Sequence, residues 1–241
     1  MRWVRDATGR LPHRPHFEPH ELDQECEALV TRFLHARYGA ARYPLGTNDL
    51  TILVERETDD LDLYADLGAE KGVQTEGVTE FRPGERPNVR IARELSEHAS
   101  REHRLRTTLA HELGHVKFHS FLWTFEAPAA AGGTALLLSP RCRRSTILDA
   151  SAADWLEWQA GYACGAILMP AGPLDRLVQE VLTGARRPFP LPARVPAAAT
   201  LIRRVQQMFQ VSADAARVRL LKLGYLTTPR HRRASVGPRP Y

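Results

Sequence analysis

Five residues carry the clearest chemistry in the sequence: His111-Glu112-Leu113-Gly114-His115, an H-E-x-x-H. On a helix, residues four apart share a face, so both imidazoles can reach one metal ion. Glu112 falls on an adjoining part of the surface, where it can touch a metal-bound water without ligating the metal. That is the arrangement of a zinc hydrolase. The competing reading is a surface helix with two incidental histidines, and the neighbouring residues argue against it.

No proline interrupts the run from Leu105 to His119. Leu109, Leu113 and Val116 recur at helical spacing and can bury one side against a core. Gly114 costs about 1 kcal/mol of helix stability relative to Ala. A glycine kept there implies close approach by another segment, plausibly the one that supplies a further ligand. A catalytic zinc takes three protein ligands and keeps a fourth position for water. Downstream, Asp154 to Met169 reads as a second buried helix, ended by Pro170. Glu157 is a carboxylate within this otherwise apolar segment, and burial of a carboxylate calls for a partner or a metal. The other reading places Glu157 and Asp154 together on a solvated face; position alone leaves the two nearly even.

Thr108-Leu109-Ala110-His111-Glu112-Leu113-Gly114-His115, then His119, Glu157-Trp158-Gln159-Ala160 and Leu168-Met169-Pro170 resemble the ImmA/IrrE family of metallopeptidases. Arg104 and Arg106 match basic positions just upstream of that family's H-E-x-x-H. The resemblance covers about Leu50 to Met169 well and the C-terminal helices more loosely. It implies a compact zincin-like domain with Zn2+ held by His111, His115 and Glu157, and with Glu112 as catalytic base. It also implies a substrate class, helix-turn-helix repressors whose cleavage switches on mobile-element or stress genes. The chain departs from the family pattern at Gly161, where Asn or Asp is usual. A group one helical turn past the zinc glutamate suits orientation of a zinc histidine. Asp149 or Asp154 are the candidate substitutes. Ala163 replaces a usual Phe, and the stretch between His119 and Asp154 is longer than usual.

The chain has 241 residues, 43% of them hydrophobic, enough for one sizeable domain or one plus a small appendage. Met1-Arg2-Trp3-Val4-Arg5-Asp6 leads into no apolar signal region, and no apolar run is long enough to span a bilayer. Three cysteines argue against a disulfide scaffold. A cytoplasmic protein with no membrane association is the expectation. Charge is uneven. The net charge is +5, yet residues 186–241 hold 12 basic residues and one acidic residue, Asp214, which leaves −6 for the rest. A basic C-terminal segment suggests acidic partners such as DNA. A solvated basic tail is the plainer reading of Arg230 to Arg239.

The expected fold class is α+β: a small mixed sheet with the H-E-x-x-H helix over residues 1–185, then a basic, proline-rich linker and helix-turn-helix-like helices over 186–241. Glu18 to Tyr38 reads as an amphipathic helix. Leu50 to Val54 reads as a strand, Leu61 to Leu67 as a short strand or turn. Gly77 to Phe81 and Val89 to Ala92 read as strands joined by a Pro/Gly-rich turn. By analogy with zincins, Val89 to Ala92 is the candidate edge for pairing with an extended substrate. Ala127 to Gly133 reads as a flexible loop and Pro188 to Pro196 as a linker. Ala198 to Phe209 and Ala213 to Leu221 read as helices, the second capped by Ser212. Arg217 and Arg219 are expected to be exposed on it, which would suit DNA. Docking of the pair on the core through Leu201, Val205, Val218 and Leu221 is the preferred reading.

His119 continues the His111/His115 stripe. Three turns cannot easily converge on one ion, so a supporting or helix-end role is expected. Cys142 invites comparison with the inhibitory cysteine of matrix metalloprotease prosegments, on three residues only. Cys26 and Cys164 read as packed. Tyr162, His98 and His103 are open candidates for oxyanion stabilisation. The functional expectation is a zinc endopeptidase acting on a specific protein. The alternatives are a toxin of a toxin–antitoxin pair and a DNA-binding regulator whose zinc is structural or sensory.

Overall fold

The computed structural model describes residues 1–70, 73–124, 141–142, 154–183 and 190–228. The chain opens with a hairpin of β1 (Arg2–Arg5) and β2 (His13–His16), in which Trp3 faces Pro15. Helix α1 (Pro19–Tyr38) follows. Its start is set by proline at the first helical position and by the Glu21 carboxylate accepting the Glu18 backbone N–H at 2.9 Å. Gly39, at φ +76°, ends it by turning its own N–H to the His35 carbonyl.

Helix α2 (Thr47–Glu57) overturns the expectation of a strand at Leu50 to Val54. β-branched content suggested a strand. Leu50, Leu53 and Val54, all buried, instead occupy the i, i+3, i+4 positions of one helical face. Asp49 accepts the Gly46 N–H and fixes the first turn.

The sheet comprises β3 (Asp60–Ala65), β6 (Gly77–Glu80), β7 (Asn88–Ala92) and β8 (Arg141–Cys142); a small separate hairpin joins β4 (Ala69–Glu70) and β5 (Val73–Gln74). The order is β3-β7-β6-β8, with β3 parallel to β7 and the other pairs antiparallel. Val89 to Ala92 is therefore an interior strand, paired on both sides, and not the edge expected from the analogy. β6 lies nearer the H-E-x-x-H helix, and its outer side meets β8 at Gly77↔Cys142 and Val78↔Arg141.

Short α3 (Arg93–Ser96) and a 3-10 turn at Ala99–Arg101 lead into α4 (Glu102–His119), followed by α5 (Phe121–Thr124). Helix α6 (Trp155–Leu168) packs along α4 in the most extensive contact between elements. Then come α7 (Ala171–Thr183), β9 (Leu191–Pro192), α8 (Pro196–Phe209), α9 (Ala213–Lys222) and β10 (Leu226–Thr227). The protein is thus mixed α+β with small sheets. Among the described residues, no helix is long and apolar enough to cross a membrane. The Ala127 to Gly133 loop, Asp149 and the Arg230 to Arg239 tail lie outside the described residues.

One core runs through all of this. Leu22 and Leu34 of α1, Leu109 and Leu113 of α4, Ile167 of α6, Leu201 and Val205 of α8 and Leu220 of α9 belong to one buried cluster. Each such side chain contributes about 1.5–3 kcal/mol relative to exposure. Helices α8 and α9 are therefore docked, and Ser212 caps α9 by accepting the Ala215 N–H at 3.1 Å.

Arg219 corrects a sequence expectation. It is 1% exposed, not on the surface. Its Nη2 lies 2.6 Å from Asp23 Oδ1 on α1, and its Nε donates to the Met169 carbonyl at 3.1 Å. Arg217, two residues earlier, faces solvent. The pattern of charge along α9 does not separate the two; only the carboxylate supplied by α1 does.

Candidate metal centre

Helix α4 is buried almost all round, and His111, His115 and His119 form one stripe along it at the four-residue spacing. Across from them runs α6. Gly114 permits the approach: a Cβ there would stand 3.1 Å from the Ala160 Cα, the Ala160 carbonyl oxygen and the Ala163 Cβ. The close neighbour expected from a glycine inside this helix is thus α6, the element that carries Glu157.

Glu157 lies in the first turn of α6, 6% exposed, so the positive helix N-terminus favours its charge. His111 and His115 are 0% exposed. His111 Nε2 stands 3.1 Å from His115 Nε2 and 3.2 Å from Glu157 Oε2, while His115 Nε2 is 3.4 Å from Glu157 Oε1. A tetrahedral ion with ligand bonds of about 2.0–2.1 Å separates its ligands by about 3.3 Å. The three spacings bracket that value, and the His/His/Glu donor set is one that could hold a metal ion. The Glu157 carboxylate is held well below the usual carboxylate range, because the two imidazoles outweigh the effect of its burial. Burial pushes His115 down, but Glu157 and Glu112 more than offset it and raise it above an ordinary histidine.

Glu112 is 0% exposed and faces β6. Thr79 donates its hydroxyl to Glu112 Oε2 at 2.5 Å. The other oxygen, Oε1, is buried without a hydrogen-bond partner among the described residues. Room for it depends on Gly77, where a Cβ would lie 2.5 Å from Oε1 and 2.8 Å from Thr108 Cγ2. Burial raises the Glu112 carboxyl above its ordinary 4.5, partly offset by the nearby histidines and Thr79. One oxygen is therefore anchored and the other is left able to take a proton.

A comparison with protein-family models gave no match, and a search of curated proteins gave none either. The site accordingly rests on its own geometry.

His119 stands where the stripe predicts, but it turns from the triad. Its Nδ1 lies 3.1 Å from His115 Nδ1, and its Nε2 lies 3.1 Å from Gln159 Oε1. The supporting role expected of it is the one its contacts describe. Asp154 does not replace the side chain missing at Gly161: it pairs with Arg10 at 2.7 Å, half-exposed. Tyr162 donates to Asp23 at 2.9 Å on the α1 side, and His98 and His103 are exposed. Cys26 and Cys164 are buried, with the Cys164 thiol pushed up to about 12 by burial and donating to the Thr107 carbonyl. For Cys142 only the backbone pairing in β8 is described.

Arg104 pairs with buried Glu76, directly before β6. Arg106, 2% exposed, donates to the carbonyls of Leu45, Phe209 and Gln210 and clamps α4 to the end of α8. Thr79, Gly77, Gln159 and Pro15 went unread as site residues in the sequence. Thr79 is 33 residues from Glu112 and Pro15 is 144 from Gln159, and no local pattern links such distances.

Proposed function

We propose that this protein is a zinc-dependent endopeptidase of zincin type, with Zn2+ held by His111, His115 and Glu157 and with Glu112 as general base. The observation that carries this reading is the buried Oε1 of Glu112, without a hydrogen-bond partner among the described residues, on the carboxylate next in sequence to the ligand His111. A purely structural metal site has no need of a base. A His2Glu set suits zinc and would leave a fourth position for water. A bound zinc would polarise the scissile carbonyl and acidify a water molecule.

Glu112 Oε1 takes the proton of the attacking water and returns it to the leaving amine. The Thr79 hydrogen bond occupies Oε2 and leaves Oε1 for this transfer. The rise in the Glu112 pKa strengthens it as a base. An extended substrate would pair with β6 at Thr79 and Glu80, beyond its short pairing with β8 at Gly77 and Val78.

The substrate class, a helix-turn-helix repressor, rests on the resemblance to ImmA/IrrE peptidases alone. A cytoplasmic setting belongs to the same reading. DNA binding through the C-terminal segment is the rival, and it must draw on exposed residues such as Arg203, Arg204 and Arg217.

The test is zinc content together with cleavage of a co-encoded helix-turn-helix protein, with and without chelator. Wild type should hold about one zinc per chain and cut at one or a few bonds. Glu112→Gln should keep the zinc and lose cleavage, and Glu157→Ala should lose most of the zinc. Identical fragments from wild type and Glu112→Gln would defeat the proposal. Full zinc occupancy in Glu157→Ala would defeat the ligand set.

A further inference from the structure

We infer that Gln159 and His119 fix the ring tautomer of His115 as positioning residues, and that the carbonyl of Pro15 in the N-terminal hairpin anchors this relay. The inference rests on the metal-site reading above. Its logic is a chain of donors and acceptors in which each link leaves one choice.

A peptide carbonyl can only accept. Gln159 Nε2 lies 2.9 Å from the Pro15 carbonyl, so the amide group must turn its NH2 toward the hairpin. Its Oε1 then faces His119 Nε2 at 3.1 Å and can only accept, which places the His119 proton on Nε2. A neutral His119 so protonated bears a lone pair on Nδ1. Burial favours that neutral state, since it holds the ring far from water among Trp155, Gln159 and His115. The lone pair faces His115 Nδ1 at 3.1 Å and requires a proton there. His115 Nδ1 is thereby the donor, and Nε2 is left as the nitrogen that points to His111 and Glu157.

Metal-binding histidines are commonly fixed through their other nitrogen by a carboxylate, a carbonyl or water. Here the terminal acceptor is also a carbonyl, reached through two side chains. The relay supplies the orienting function that no side chain at Gly161 can provide. It serves His115 alone: His111 Nδ1 is buried without a hydrogen-bond partner among the described residues. Arg10 and Arg14 hold the hairpin near α6: Arg10 pairs with Asp154, and the Arg14 guanidinium lies 5.6 Å from the centre of the Trp155 ring. The Asp6 carboxylate accepts from Thr8 and Leu11 and so shapes the turn between the strands.

The experiment combines competition for zinc with a chelator at pH 8 and nitrogen-15 spectra of histidine-labelled, zinc-loaded full-length protein. His119→Leu and Gln159→Leu should each weaken zinc about 10- to 100-fold, the range seen when such supports are removed. His119→Asn, whose amide oxygen can accept where Nδ1 did, should restore most of the affinity. Wild-type spectra should show a proton on His119 Nε2 and on His115 Nδ1, and this measurement needs no variant to fold. A proton on His119 Nδ1 overturns the relay. So do unchanged zinc affinities in both Leu variants. Wild type that takes up no zinc overturns the metal reading itself, and the relay with it.

Discussion

Replacing Gly114 by alanine tests whether the separation of α4 and α6 sets the site. The added Cβ would meet three atoms of α6 at 3.1 Å, against an ordinary carbon contact of about 3.5–4.0 Å. The helices must part by about 0.5 Å. Overpacking of this kind costs about 1–3 kcal/mol. Alanine recovers about 1 kcal/mol of helix propensity, so the net loss is about 1 kcal/mol. In a chain of this size that lowers the melting temperature by about 3 °C. The same movement stretches the His111–Glu157 and His115–Glu157 spacings of 3.2 and 3.4 Å. Metal sites tolerate about 0.2 Å, so zinc should bind at least about tenfold more weakly. Gly165→Ala is the control. It lies on α6, and among the described residues its Cβ would touch only Arg219 Cδ, at an ordinary 3.5 Å. It should gain about 1 kcal/mol and leave zinc affinity unchanged. The assays are thermal melts and competition with a chelator. If Gly114→Ala melts as high as Gly165→Ala and binds zinc like wild type, close helix approach does not set the site.

Two further outcomes follow from the same geometry. Thr79→Val removes a hydrogen bond that lowers the Glu112 pKa; the base must be unprotonated to act, so activity falls as pH drops through that pKa, and the acid limb of the pH profile should move up by about one to two units, given about 1.5–3 kcal/mol for a hydrogen bond to a charge. An unmoved limb would show that Glu112 does not set it. Arg219→Ala should cost about 3 kcal/mol or more in denaturant unfolding, since it strands the Asp23 carboxylate, whereas Arg217→Ala should cost under about 0.5 kcal/mol; similar losses for the two would contradict the burial of Arg219.

Much of the site was legible because its key spacing is local. His111, Glu112 and His115 span five residues, and helical periodicity alone places them. Glu157 was harder. Its apolar setting marked it for a partner, but only the resemblance preferred it over a solvated face, and the crossing of α6 over Gly114 now brings it to the histidines. The α1, β6 and β7 readings succeeded because polar caps and turns frame them. Leu50 to Val54 misled because a short run of β-branched and apolar residues fits either period, and it is the turn fixed by Asp49 that commits the 50/53/54 face to a helix. Arg219 misled for a different reason: the surface or interior position of an arginine depends on a carboxylate nearly 200 residues away. Thr79, Gln159 and Pro15 belong to that same class of non-local contact.

The bond from Gln159 to Pro15 joins residues 144 apart, as does the pairing of Arg10 with Asp154. In vectorial synthesis the hairpin leaves the ribosome well before its docking surface. At about 5–20 residues per second, the interval is about 7–30 s. During that time β1 and β2 can pair with each other but have nothing to rest on. Two strands alone are marginal in water. The hairpin therefore settles only after α6 has been made, and a nascent chain interrupted before Glu157 holds His111 and His115 with neither their carboxylate nor the Gln159 that supports His115 through His119. On the metal-site reading proposed above, capture of the ion is in this way deferred to a chain that has been made at least through α6.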